Sequence, residues 1–239
     1  KIEQDKELTE ILNLWVKSGY PLGNHTFSHK SLNNFSAEKF NKEITANEAA
    51  LKAINGSFDW HYFRYPFLHE GDTLEKRNSV RDYLKANKYK IAYVTDEFED
   101  WAWNDPYARC KSKNDLKSIL NLTQSYVKAA FDRLHRDGEI LNALYHRPVA
   151  RILLLHIGAF DAQMLPTILK MYQENGVEFI PLSEAVKDPI YEEDLGIARG
   201  GGGDFEYNAM KAKNLTRAEL GLGPDWEFPG KELSQLCSD

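Results

Sequence analysis

The chain lacks the features that mark several whole classes of protein. It has no run of about 18 apolar residues, the length a helix needs to cross a bilayer, so no membrane span is expected. It has no basic block. Thirty Lys and Arg face 36 Asp and Glu, giving a net charge of −6, and this argues against a nucleic-acid partner. Cysteine is nearly absent. Cys110 and Cys237 form no C-x-x-C pair, which excludes a zinc ribbon or a dithiol redox motif. They leave two options, a single disulfide or two buried thiols. No internal repeat and no low-complexity tract is visible, and a 42% hydrophobic share argues against disorder. The one glycine run, RGGGGD at 199–204, does not sit between a strand and a helix, so it reads as a flexible turn rather than a phosphate cradle.

What is present alternates. Leu8, Ile11, Leu12 and Trp15 recur at helical spacing from the first residues, and Gly19 closes that helix. YPLGNH predicts a short strand ending at His25. Ser36 predicts an N-cap for a helix over 37–54, and Asn55-Gly56-Ser57 a turn. FDWHYFRYPF holds a strand stopped by Pro66, Asp72 caps a helix to about Asn87, and KIAYVT is a strand. A helix over 114–137 ends at Asp137-Gly138. RILLLHI reads as a strand buried on both faces, 161–175 as a helix, and VEFIPL as the last strand. A helical patch near 206–220 lies in the tail. This order predicts an α/β fold with parallel strands, a distorted TIM-like (β/α) barrel over 1–187, with 188–239 as an extension packed on it.

The polar residues fall at the predicted strand ends. His25 and His29 follow the first strand, Arg64 closes the second, Asp96, Glu97 and Asp100 follow the third, and His156 ends RILLL. In a parallel barrel the C-terminal strand ends build one shared site. Histidines at i and i+4 share one side of a helical turn, and two imidazoles there can reach one metal ion. His61, His69, His135 and His146 read as structural or surface residues, and Glu70 and Asp72 as helix-capping groups.

Four short motifs in order carry a resemblance. His25-Thr26-Phe27-Ser28-His29, Arg64-Tyr65-Pro66-Phe67, Asp100-Trp101 and Leu153-Leu154-Leu155-His156 resemble motifs two to five of the polysaccharide deacetylases of the NodB-homology type, carbohydrate esterase family four. The resemblance covers about residues 1–187. It implies a metal-dependent hydrolase that removes N-acetyl groups from N-acetylglucosamine polymers, peptidoglycan ahead of chitin oligosaccharides. Its alternatives are a non-catalytic carbohydrate-binding relative and a metal-dependent amidase for a small nitrogen compound. His25 and His29 would hold Zn2+ or another divalent metal. Arg64 would pair with the catalytic base. The N–H of Tyr65 would receive the oxyanion, His156 would protonate the leaving nitrogen, and Asp100 would orient it. Phe67, Trp101 and Leu154 would meet substrate. The family's first motif, Thr-Phe-Asp-Asp, has no counterpart, and in the fourth the first acidic position falls on Glu97, with Asp96 one residue out of register. The expectation is that the Asp pair, base and third ligand, lies on strands upstream of Lys1. A secreted or periplasmic location is expected with it, which makes a Cys110–Cys237 disulfide plausible.

Overall fold

The structure is a computed structural model and describes residues 6–54 and 56–238. The chain divides into two compact units, 1–93 with 191–203, and 94–190 with 204–239. The first five residues of the helix expected up to Gly19, and the turn residue Asn55, lie outside the described residues.

In the first unit, α1 (Lys6–Lys17) carries its apolar residues on one face, yet none is buried, and Leu14 is 61% exposed. Helix α2 (Ala37–Ala53) starts at Ser36, whose Oγ accepts the Lys39 N–H at 3.3 Å, and it buries Phe40, Ile44 and Leu51. Helix α3 (Leu74–Ala86) is capped by Thr73 rather than by Asp72. Asp72 instead pairs with Lys76 at 2.8 Å. Two short strands, β1 (Tyr62–Phe63) and β2 (Lys90–Ile91), run parallel, and a bridge from Asn24 to Phe63 adds a third segment beside β1. Leu32, Phe40, Ile44, Phe63, Val80 and Leu84 form the core between these segments and the helices. The glycine run forms a turn, with the Gly202 N–H donating to the Arg199 carbonyl at 3.2 Å, and it packs closely at two of its positions. A Cβ at Gly200 would meet the Asp72 Cα at 2.8 Å, and one at Gly202, where φ is +69°, would meet the Phe67 carbonyl at 2.6 Å.

The second unit is helical: α4 (Asn104–Ser112), α5 (Leu116–Tyr145), α6 (Ala159–Glu174), α7 (Leu182–Ala185), α8 (Phe205–Ala212) and α9 (Gly230–Gln235). Phe98, Trp103, Leu122, Tyr126, Phe160 and Ile168 fill its core. Helix α5 does not stop at Asp137-Gly138. It continues to Tyr145 and ends at His146 in the left-handed conformation. Gly138 is there for room, because a Cβ would meet the Arg151 guanidinium at 2.7 Å.

The expected barrel is not visible among the described residues, which are mostly helical. Regular strand is confined to two residues in each of β1 and β2. The RILLL segment pairs with its neighbour at one bridge, Asp96 to Leu153, and then leaves the ladder. VEFIPL forms no strand, and Phe179 and Ile180 in it are 47% and 45% exposed. Apolar runs of this length satisfy a buried strand and a packed irregular segment equally well, so periodicity alone overstates the sheet. Among the described residues no helix is long and apolar enough to cross a membrane.

Cys110 on α4 and Cys237 beyond α9 are bonded, with Cα atoms 5.3 Å apart. Beside them the Arg109 guanidinium donates to the carbonyls of Leu233 at 2.9 Å and Leu236 at 3.1 Å, which satisfies the open end of α9. The bond closes a sequence separation of 127 residues. Cys237→Ser should therefore cost about 2–4 kcal/mol in denaturant unfolding, and reductant should remove the same amount from the parent chain. Equal midpoints with and without reductant would refute this.

Candidate active site

In the first unit the histidine segment is fixed by a buried amide. Asn24 is 1% exposed, and its Nδ2 donates to the Ile44 carbonyl at 3.0 Å and the Tyr89 hydroxyl at 2.8 Å. Its Oδ1 accepts from the Thr26 N–H at 3.0 Å and from Asn47 Nδ2 at 3.1 Å. Its backbone joins Tyr62 and Arg64 on either side of Phe63. His25 follows directly. Its Nδ1 donates to the Arg64 carbonyl at 2.8 Å, a tautomer that leaves the lone pair on Nε2, as a metal-ligating imidazole requires.

The pair does not sit on a helical turn. Thr26 at φ 64° and His29 at φ 51° fold the segment back on itself, and this brings the two imidazole centroids to 4.8 Å. The Glu43 carboxylate holds the loop, accepting from the Ser28 N–H at 2.8 Å and from its hydroxyl at 2.6 Å. Phe67 (φ 59°) and Leu68 (φ 55°) add two more left-handed residues opposite, and the Phe67 ring meets His29 edge-on at 4.7 Å. Positive φ is uncommon outside glycine and a true outlier for a β-branched residue such as Thr26, so strain concentrates around this pair. A cavity of about 270 Å³, lined by Leu12, Leu22, Leu51 and Ile54, opens beside both histidines.

Arg64 is half-buried. Burial draws its guanidinium down to about 10, and its Nε donates to the Ala92 carbonyl at 3.2 Å. No carboxylate pairs with it among the described residues. The Tyr65 ring is buried in the core against Phe40 and Phe63, so this residue can offer a ligand only its backbone. Phe67 is 56% exposed.

In the second unit Asp100 is fully buried and holds His156 twice. It accepts from the His156 backbone N–H at 2.6 Å and from ring Nδ1 at 2.8 Å. That hydrogen bond, with the charge behind it, raises the imidazole above its usual pKa against the opposing pull of burial. The ring remains 44% exposed, so it can still exchange a proton with what lies outside. Trp101 is 52% exposed and Leu154 half-buried. Asp96 is taken up by Arg151 at 3.0 Å, and Glu97 accepts the Glu99 N–H at 3.1 Å. Among the described residues no third His, Cys, Asp or Glu joins His25 and His29; the cluster of three that forms is Asp137, Asp204 and Glu206.

Residues 2–92 match the polysaccharide deacetylase family. The match contains His25, His29, Arg64, Tyr65 and Phe67. Asp100 and His156 lie beyond it. A curated relative, described as an uncharacterized 30.6 kDa protein in the fumA 3′ region of Geobacillus stearothermophilus, is 24% identical over 187 residues. That alignment takes in 78% of this chain but 58% of the relative, so the chain spans little more than half its length. A solved structure, the Xyl-CE4 domain of a multidomain xylanase from the hindgut metagenome of Trinervitermes trinervoides, aligns at 18% identity and a TM-score of 0.49. The alignment covers 83% of this chain and 80% of that one.

No motif or periodicity in the sequence marks Asn24. Its one signal was adjacency to His25. Asn24→Ala should destabilise the chain by about 2 kcal/mol or more in urea, since it leaves Asn47 and Tyr89 without their buried partner. An unchanged midpoint would show that the amide holds nothing. Asp100→Asn should return the His156 pKa to about 6.5 or below, read by histidine NMR titration. In the parent the Asp100–His156 pairing stabilises the fold fully below the unfolded-state pKa, and this is lost as pH rises through the raised folded value. The variant should lack that pH-dependent part.

Proposed function

We propose that this chain is a metal-dependent N-deacetylase acting on N-acetylglucosamine-containing polysaccharide, with peptidoglycan ahead of chitin oligosaccharides. One observation carries the reading: two histidines drawn together on a strained loop, one with its tautomer set by the Arg64 carbonyl, inside the segment that matches the polysaccharide deacetylase family.

The donors fit a borderline divalent metal such as Zn2+, because they are imidazole nitrogens, with Nδ1 of His25 already engaged. His25 and His29 would hold it. A bound metal supplies an acidified water and polarises the acetyl oxygen. The remaining work falls to the chain. Arg64, a cation without a carboxylate partner among the described residues, suits the role of holding an anionic base in orientation. The Tyr65 N–H would stabilise negative charge on the acetyl oxygen. His156, kept protonated longer by Asp100, would give its proton to the departing amine nitrogen. Exposed Phe67 and Trp101 offer flat apolar faces of the kind sugars stack on, and Leu154 would border the acetyl methyl. The Cys110–Cys237 bond favours an oxidising compartment, hence a secreted or periplasmic location.

The test is acetate release by the zinc-loaded chain from peptidoglycan and chitin oligosaccharides. His25→Ala should abolish zinc retention and acetate release together. His156→Gln should keep zinc but lower kcat about 10²–10⁴-fold. Zinc retention with no acetate from either polymer, but with polymer bound, would point to a chain without its catalytic base or to a non-catalytic carbohydrate binder.

A further inference from the structure

The second unit buries more carboxylates than it can neutralise. Asp137 on α5 accepts from Arg133 Nε at 3.1 Å and Arg136 Nη1 at 2.6 Å. Asp204, just before α8, accepts from Arg133 with one oxygen, and its Oδ1 has no partner. Glu206 in the first turn of α8 is 0% exposed, and neither of its carboxylate oxygens has a hydrogen-bond partner. One oxygen from each of the three lies within 4.8 Å of the others. The surrounding ion pairs do not make up the difference. The buried acids Asp96, Asp137, Asp204 and Glu206 have Arg133, Arg136 and Arg151, and Arg136 is shared with the exposed Asp225, so the buried carboxylates outnumber the guanidiniums.

A buried carboxylate with both oxygens unmet is among the costliest groups a core can hold. One oxygen of Glu206 and one of Asp204 lie close to one of Asp137, and each carboxylate oxygen of Asp137 keeps a second lone pair beyond the arginine bond it accepts. Oxygen donors this close together suit a hard cation, whose contacts to each run about 2.0–2.6 Å. A bound cation supplies positive charge that the guanidiniums do not.

We infer that Asp137, Asp204 and Glu206 form a binding site for a hard divalent cation, with Ca2+ as its probe, that fastens the start of α8 to the middle of α5. The inference is independent of the histidine pair and of the proposed reaction. The competing solution is protons: burial raises both acids, Asp204 to about 7 and Glu206 well above the usual carboxylate range, so a neutral Glu206 also relieves the excess.

Calorimetry and thermal unfolding separate the two. The protein is stripped of metal, and a His25→Ala/His29→Ala variant is used beside the parent so that the histidine pair cannot contribute. Both should bind one equivalent of Ca2+, and their Tm should rise by about 5–10 °C at Ca2+ a hundredfold above Kd. Glu206→Gln should lose both effects. The inference fails if neither the parent nor the histidine variant responds to Ca2+, Mg2+ or Mn2+, or if Glu206→Gln responds as its parent does. Either result makes Glu206 a buried neutral acid. The titration of the unmodified protein decides the matter even if the variant does not fold.

Discussion

One buried amide holds the first unit's histidine loop in a shape it would not keep alone. Asn24 makes four side-chain hydrogen bonds and two backbone ones, and they reach α2, β1 and Tyr89. Each such bond nets about 1 kcal/mol, and leaving one group unmet costs about 1–3 kcal/mol. Against this stand Thr26 and His29 at positive φ, where side chains other than glycine cost about 1–3 kcal/mol each. The bonds match or exceed that cost, and the Glu43 bonds to Ser28 add to them. The loop is strained because it is held, and it is held from the residue immediately before His25.

The second unit meets a related constraint with charge. Its buried carboxylates are stabilised in different ways. Asp96 has Arg151, a fixed cation, and serves structure. Asp100 has His156, a cation that comes and goes with pH. Asp161 has only neutral donors, the Tyr126 hydroxyl at 2.9 Å and Asn104, and burial raises its pKa. A fixed guanidinium gives rigidity. An imidazole gives an exchangeable proton at the same position, and that difference separates a structural pair from one suited to acid–base work. The backbone bond from His156 to Asp100 fixes the ring's origin as well as its tautomer.

Chemical candidates stood out in the sequence more readily than the geometry that holds them. His25, His29, Arg64, Asp100 and His156 stood out because few roles suit those side chains in that order. The caps at Ser36 and the periodicity of α2 and α3 were legible because helix signals are local. The barrel was overread because an apolar run such as RILLL does not say how far its hydrogen bonds extend. The i, i+4 spacing suggested a helical turn, whereas two left-handed residues produce the same approach. Asp137-Gly138 looked like a stop, but its glycine makes space for Arg151, a contact set by chain 13 residues away that no local rule contains. Asn24 was invisible for the same reason, since its partners lie 20 to 65 residues off.

The tail of the second unit explains why so many acids are buried there. Residues 204–239 have little regular structure, α8 and α9 apart, and must be fastened at intervals. The Phe205 N–H reaches the Val94 carbonyl at 2.8 Å, Asp204 meets Arg133, and Asp225 meets Arg136 at 2.5 Å. The last attachment is covalent, at Cys237. The segment buries Phe205, Ala209, Met210 and Leu233 and packs Trp226 and Phe228 on the core, which contributes about 25 cal/mol per Å², and directional bonds to α5 fix where it sits. Each is an acid on the tail and an arginine on the helix. The desolvation cost of such pairs is large, and alone it often cancels their attraction. The disulfide changes that balance by confining the unfolded chain, so the tail remains docked even where the ion pairs contribute nothing net.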